Sequence, residues 1–496
     1  MKTDYKNKNI HIVGISGMEG LAVWQYFKSQ ISNFKSQIYL HDFSENLETL
    51  KQSLFAYHDY LGKQEKERVW RELEQEKDNI RLREDYLKGV EEADIIFVPQ
   101  SWFRYPANAP LYDLKGQVKF KQLTQLYFET FVGIIVGITG SSGKSTTANL
   151  IYHLIRYLPR RRVWLSGNDR NNPPVLNKIQ DADKDDILVL EISNRQLIDL
   201  EYSPQVAVVS TLSPTHIDDH KTFTHYLEAK VNIVKYQDSK DLAILNYDNK
   251  YVRAFAHKTK AKVEWFGLNS ALNLKGAFLE DDNLVFDLKK KEAIMPLVDF
   301  PLPGEHNLSN ALAASLVARH FGLKPADVSR KLRDFKGLKH RLELVAKSKG
   351  VEFYNDSQAT NAQAAQAAIE SFPGRNKIII AGGRKKDNPK DFKPWLKSLI
   401  KNEVRALLLI GEAGGQIHQE LKKITKKAPF LVKDCGKMQQ AVEEVFGIMK
   451  KGDAVLMSPA CESFGEFKDY RERGERFREE VNAQIRNSKH EVRSTK

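Results

Sequence analysis

Short apolar runs rich in β-branched residues alternate with helical patterns along almost the whole chain, and this alternation restricts the fold more than any other feature. A strand reading IHIVGIS turns at glycine into the helical LAVWQYFKSQI, and IYLHD and ADIIFVPQ continue the series. A second series starts near Lys121 with FVGIIVGITG and runs through DDILVLEIS, QVAVVSTLS and DLAILNYD. A third opens at Gly337 and contains VEFYNDS, NKIIIAGG, VRALLLIG and DAVLMSPA. Runs this uniformly apolar suit strands buried on both faces, as in mainly parallel sheets covered by helices. Three α/β domains are expected, over residues 1–122, 123–336 and 337–496 of the 496. That division fits a prior of roughly 150 residues per domain. The charged end from Asn487 to Lys496 is expected to fray.

Composition then narrows the setting. With 41% hydrophobic and 28% charged residues the chain can fill several cores, which excludes wholesale disorder. The longest apolar stretch, Phe131 to Ile138, is far shorter than the ~20 residues a spanning helix needs, so no membrane insertion is expected. MKTDYKNKNI is basic but has no apolar segment ahead of a cleavage site, so no secretory signal is expected. Two cysteines, Cys435 and Cys461, are too few for a disulfide framework and fit a reducing compartment. A cytoplasmic monomer is the expectation. The net charge of +13 suits acidic ligands such as phosphorylated metabolites. The excess is dispersed, and Gly62 to Arg83 alternates in sign as a solvated helix face does, so nucleic acid is not an expected partner.

One turn carries chemistry. GITGSSGKSTT follows a buried strand and precedes the helical TTANLIYHLI. Gly140, Ser141, Ser142 and Gly143 would curl backbone amides around phosphate oxygens, with Lys144 reaching the β- and γ-phosphates. Ser145 would place its hydroxyl on Mg²⁺, beside Thr146. Glycine stands at Gly137 rather than at Ile138, where the common spacing puts it. A nucleoside triphosphate is the expected ligand. A second glycine turn, Gly14 to Gly20, has Ile15 where a dinucleotide fingerprint wants glycine. Asp42 could meet a ribose there, but Glu19 would repel a pyrophosphate; a ligand-free turn and a nucleotide site fit equally.

Together with that loop, the segments LEISNRQL, STLSPTHIDDH, YLEAK, LPGEHNLSNALAA, LKHRLE, FYNDSQATN, AGGRKK and LMSPACESFGEFKDYRERG resemble the Mur ligase family, in its order and spacing. The resemblance implies a Rossmann-like N-terminal domain binding a UDP-linked substrate, a central P-loop ATPase-type domain and a Rossmann-like C-terminal domain binding an amino acid. It implies an ATP-dependent ligase that adds D-glutamate to UDP-N-acetylmuramoyl-L-alanine through an acyl phosphate, in peptidoglycan synthesis. On this resemblance Glu191, His216 and a carbamylated Lys230 join Ser145 in holding two Mg²⁺ ions. Asn307 and Asn310 match residues that read adenine, Arg341 the arginine reaching the γ-phosphate, and Asp356 the acid facing the ribose. Thr360, Lys386, Ser463, Phe464 and Tyr470 match positions that grip D-glutamate, and Asn168 one that contacts the UDP-linked substrate. Lys144, Glu191, His216, Lys230 and Arg341 form the implied catalytic set.

Several family positions differ. Gln358 stands for a lysine, Arg195 for an aromatic residue, Asp169-Arg170 for isoleucine-glycine, and Tyr470 for a phenylalanine. Phe43 and Ser44 follow Asp42 where the family has the threonine-arginine that grips uracil. Because the first-domain changes lie at the uridine end, two alternatives stand beside the main expectation. One is a related Mur or folylpolyglutamate-synthase-like ligase with another acceptor; the other is a non-catalytic nucleotide-binding relative.

Overall fold

The alternating runs pair into three sheets in the computed structural model, which describes residues 4–30, 34–167, 171–214, 222–269 and 274–494. They are divided between two units, Met1–Leu297 with Ser309–Leu332, and Val298–Leu308 with Arg333–Lys496.

The first unit holds two sheets. The N-terminal one contains β1 (Asn9–Val13), β2 (Gln37–Asp42), β3 (Ile80–Leu82), β4 (Ile95–Phe97) and β5 (Lys119–Lys121), all parallel in the order β3-β2-β1-β4-β5. Ile10 and Ile12 of β1 face Trp24 and Phe27 of the helix Met18–Ser29, whereas Val13 packs with Ile96 and Trp102 on the other side. Burial on both faces is why IHIV shows no polar alternation beyond His11.

The nine-stranded sheet contains β6 (Ile134–Thr139), β7 (Val163–Ser166), β8 (Ile187–Glu191), β9 (Val206–Val209), β10 (Leu242–Asn246), β11 (Lys262–Gly267), β12 (Gly276–Glu280), β13 (Asn283–Asp287) and β14 (Lys291–Pro296). Their order is β14-β13-β12-β11-β10-β9-β6-β8-β7. The parallel part matches the expected central domain; β12, β13 and β14 extend it through antiparallel pairs that the sequence reading did not include. Gly137 lies inside β6, where a Cβ would come within 2.6 Å of Pro204 and 3.2 Å of Ile192. The glycine at 137 therefore serves close packing of the strand, and the loop proper begins at Gly140.

The second unit has β15 (Glu343–Ser348), β16 (Val351–Asn355), β17 (Lys377–Gly382), β18 (Val404–Ile410), β19 (Leu431–Gly436) and β20 (Ala454–Met457), in the order β15-β16-β20-β17-β18-β19. All pairs but β15–β16 are parallel. In β17, Ile379 and Ala381 pack with Trp395 and Leu399, while Ile378 and Ile380 pack with Val442, Val445 and Phe477. Each such fully buried side chain contributes about 1.5–3 kcal/mol of transfer free energy. The order reverses between β17 and β20, so the crevice at their carboxyl ends is the place where such sheets bind ligands. The charged end expected to fray from Asn487 instead continues the helix Tyr470–Ser494, whose apolar side includes the buried Phe477 and Val481.

Candidate active site

In the first unit, β6 delivers the glycine loop to the N-terminus of the helix Lys144–Ile155. The loop is pinned along its length: the Ser141 amide donates to the Thr211 carbonyl at 2.7 Å, and the Ser210 hydroxyl donates to the carbonyls of Thr139 at 3.1 Å and Ser142 at 2.6 Å. Gly143 takes a left-handed φ of 83°, and a Cβ there would sit 2.5 Å from the Asn310 amide oxygen. That oxygen accepts from the Thr147 hydroxyl at 3.1 Å, leaving the buried Asn310 Nδ2 without a partner among the described residues. Lys144 Nζ donates to the carbonyls of Gly140 at 3.0 Å and Ser141 at 3.5 Å, and Ser145 and Thr146 are buried in the first turn. Fixed amides at a helix N-terminus, with a lysine across the loop, make an anion cradle.

Two buried ionisable groups flank that loop. Lys230 lies on the helix Phe223–Lys235, capped at its start by the Thr222 hydroxyl. Its ammonium carbon chain is 1% exposed, and Nζ donates to Thr139 Oγ1 at 2.9 Å and to the Gly140 carbonyl at 3.1 Å. Burial, reinforced by the Lys144 charge and only partly opposed by Glu191, holds its pKa well below the usual lysine range. Glu191 ends β8, is 3% exposed, and its Oε2 has no hydrogen-bond partner among the described residues. A buried carboxylate oxygen left unpaired costs roughly 1–3 kcal/mol or more unless a cation completes it. Gly167 gives Glu191 its room, since a Cβ there would lie 2.5 Å from the glutamate Cβ.

In the second unit, the loops after β16, β20 and β17 carry Thr360, Ser463 and Lys386 respectively. Ser463 is buried, Thr360 and Lys386 are half-buried, and Phe464 is 52% exposed. Lys386 Nζ lies 5.1 Å from the centre of the Phe392 ring, and its backbone is gripped twice by Gln416: Lys386 N donates to Oε1 at 2.8 Å, and Nε2 donates to the Lys386 carbonyl at 2.9 Å. Arg341 Nε donates to Gln358 Oε1 at 2.5 Å, between His340 and Leu342, whose φ values of 64° and 43° are strained for such residues. Asp356 is buried and accepts from Leu342 N at 3.1 Å and the Ser458 hydroxyl at 2.8 Å; burial raises its pKa to about 7. The Tyr470 ring stands edge-on to His340, with centroids 5.9 Å apart.

Residues 138–318 match the model of the Mur ligase middle domain, and residues 340–461 that of the Mur ligase, glutamate ligase domain. The chain belongs to the Mur ligase family. It is 37% identical over 408 residues to the UDP-N-acetylmuramoylalanine–D-glutamate ligase of Acetivibrio thermocellus, covering 81% of this chain and 85% of that one. It is 30% identical over 488 residues to the enzyme of the same name from Thermoanaerobacter sp., covering 96% and 99%. Among solved structures it shares its fold with the MurF ligase of Thermotoga maritima in complex with ADP, at TM-score 0.56 and 18% identity over 98% of each chain. The UDP-N-acetylmuramate–alanine ligase MurC of the same organism gives TM-score 0.55 at 16% identity, covering 96% of this chain and 100% of that one.

Against this Mur ligase frame, the motif residues fall as follows. Lys144, Ser145, Glu191, Lys230 and Asn310 lie in the first unit, and Arg341, Asp356, Thr360, Lys386, Ser463, Phe464 and Tyr470 in the second. His216 and Asn168 lie outside the described residues. Asn307 spends its amide nitrogen on the Pro303 carbonyl at 2.7 Å, at the start of the helix Glu305–His320. Among the described residues no three His, Cys, Asp or Glu side chains stand together as a metal cluster. Cys461 is a buried core residue whose thiol is pushed up to about 11 by burial.

In the N-terminal sheet, Asp42 accepts from Ser16 N at 2.9 Å and the Ser44 hydroxyl at 2.7 Å, so its carboxylate organises the glycine turn. Glu19 is half-buried and accepts from Gln100 N at 2.8 Å and Gln196 Nε2 at 3.3 Å; desolvation raises its pKa. Phe43, 45% exposed, stacks on Tyr86 with centroids 4.4 Å apart and meets Tyr105 at 5.7 Å. Sequence reasoning missed Thr139, Ser210 and Gln416. Nothing in their local motifs marks them, because each acts by touching another segment.

Proposed function

We propose that this Mur ligase is the ATP-dependent enzyme joining D-glutamate to UDP-N-acetylmuramoyl-L-alanine, in cytoplasmic peptidoglycan synthesis. Residues 1–122 take the nucleotide-linked acceptor, 123–336 the ATP and 337–496 the amino acid. The observation that carries this reading is a buried Lys230 whose pKa is held well below the usual lysine range, together with a buried Glu191 whose Oε2 has no partner among the described residues, both beside the phosphate loop. Relatives at 30–37% identity bearing the D-glutamate ligase name support it.

Loop amides and Lys144 gather the triphosphate, so that the γ-phosphoryl group passes to a carboxylate oxygen of the acceptor and ADP departs. Two anions must meet in that step, so positive potential has to be in place beforehand. Lys230, in its unprotonated form, adds to carbon dioxide through Nζ; an N–C bond forms, a proton leaves, and a carbamate oxygen stands where the amine did. Mg²⁺, when bound, neutralises phosphate charge. Ser145, Glu191 and the carbamylated Lys230 supply hard oxygen donors for the two ions, and the buried, unpaired Glu191 Oε2 fits that role. His216 is the further ligand the family resemblance implies.

Asn310, with its unpaired Nδ2 donor, and Asn307 serve the adenine, Asp356 the ribose, and Arg341 the γ-phosphate. Lys386 with the hydroxyls of Thr360 and Ser463 holds the carboxylates of D-glutamate, Phe464 and Tyr470 flank it, and Asn168 contacts the acceptor. The amine then attacks the acyl phosphate, phosphate leaves and the amide forms. Phosphate release should require ATP, D-glutamate and the muramoyl-alanine precursor together. Turnover that continues without an amine donor, or that prefers a different acceptor in a substrate panel, overturns the assignment.

A further inference from the structure

Arg473, in the RERG segment, is the largest cation of the second unit with no exposed surface at all (0%). It sits in the first turn of the helix Tyr470–Ser494, which Phe477 and Val481 anchor in the core and which Arg478 ties to Glu343 at 2.5 Å. Among the described residues its guanidinium makes no ion pair within 4 Å. Nε donates to the Ser357 hydroxyl at 3.0 Å and Nη2 to the Ser357 carbonyl at 2.8 Å. Nη1 donates to the carbonyls of Cys461 at 3.0 Å and Gly382 at 3.4 Å. Burial lowers its pKa to about 10, so it stays charged at neutral pH.

Those acceptors belong to three separate loops. Ser357 starts the loop after β16 that carries Thr360; Gly382 starts the loop after β17 that carries Lys386; Cys461 lies in the loop after β20 that carries Ser463. The loops are also stitched to one another, with Arg384 N donating to the Glu462 carbonyl at 2.9 Å. Gly383 has a φ of 142°, and a Cβ there would lie 2.3 Å from the Glu462 carbonyl oxygen and 3.0 Å from Arg473 Nη1, so the loops and the guanidinium close on one another too tightly for a side chain. A planar fork of five N–H donors can reach three carbonyl-bearing segments at once; a lysine ammonium, a point donor on a flexible stem, cannot. Burying a cation is costly even with the Glu466 and Asp356 carboxyls near enough to offset part of it, and a merely structural role would be served more cheaply by an apolar side chain.

We propose that Arg473 is the positioning residue of the amino-acid site: it holds the loops bearing Thr360, Lys386 and Ser463 in one register, so that a dicarboxylic amino acid meets a preformed cradle. This rests on the reading above that these loops take the incoming amino acid. Arg473 touches no substrate and acts through the loops.

Hydrogen exchange read by mass spectrometry on the full-length Arg473→Lys variant tests the tie directly. Amides in 356–361, 382–388 and 459–464 should lose protection together by about tenfold, while those of 134–146 stay unchanged. In steady-state phosphate release, the D-glutamate KM should rise about tenfold or more with the ATP KM within about twofold of wild type. Ser357→Ala, which removes only the Nε acceptor, should raise the D-glutamate KM by a smaller factor and serves if the lysine variant does not fold. Loss of protection in one loop only, equal rises in both KM values, or an unchanged D-glutamate KM in both variants overturns the proposal. A wild-type protein with no D-glutamate-dependent turnover sinks the ligase reading instead, and the exchange pattern still decides whether Arg473 binds the loops together.

Discussion

Lys230 sits where a protonated ammonium is least stable, sealed from water beside the Lys144 charge. The YLEAK segment marks the position through family resemblance, but its lowered pKa comes from burial and from the Lys144 charge, which other segments of the fold bring to it. Lys230→Ala should cut kcat by on the order of 10²–10³ with the fold intact, because it removes a charge-neutralising partner of the transition state. Added short-chain carboxylate should restore part of the rate. Full activity in the untreated variant, measured by phosphate release, contradicts the role. Gln358 illustrates the opposite direction of inference: in sequence it is only a departure from lysine, whereas in space it is the acceptor that orients Arg341.

At the level of elements, neighbouring strands create chemistry that neither contains alone. His11 on β1 and His41 on β2 meet through Nδ1 and Nε2 at 2.9 Å, and their outer nitrogens have no partner among the described residues. Burial, and for His11 also the Arg81 charge, pulls the His11 pKa from 6.5 down to about 4. Burial, His11 and Arg81 lower His41 further, to about 3. In the unfolded chain both would titrate near 6.5, so between there and about 3 the unfolded state binds more protons. Stability is therefore full above pH 6.5 and falls steadily as pH drops through that window. Thermal unfolding followed by circular dichroism should show a lower Tm at pH 4.5 than at pH 7. The double variant His11→Leu/His41→Leu should lose less over the same interval; an identical loss in both proteins would exclude the pair as its source.

For the whole molecule, the phosphate loop belongs to one unit and the Thr360, Lys386 and Ser463 loops to the other. D-glutamate supplied without nucleotide should slow amide exchange at 382–388 and 459–464 and leave 139–146 unaffected, since a ligand stabilises only the structure it binds. Equal protection in both places contradicts separate sites. Much of this architecture was legible beforehand: β1, β2, β4, β6, β8, β9, β10, β16, β17, β18 and β20 are the apolar runs themselves, because a strand buried on both faces must be apolar throughout. The glycine loop was legible for a similar reason, since its geometry is local to strand, turn and helix. Short or half-exposed strands such as β3, β7 and β19, and the antiparallel extension β12 to β14, left no such pattern. Sequence by itself thus determined the layered α/β plan and the anion cradle, both set by side chains within a few residues of one another. Only the tertiary structure decided that the Lys230 pKa is lowered, that Glu191 Oε2 has no partner among the described residues, and that Arg473 joins three loops. Desolvation and hydrogen bonding at those positions come from segments tens to more than a hundred residues away in the chain.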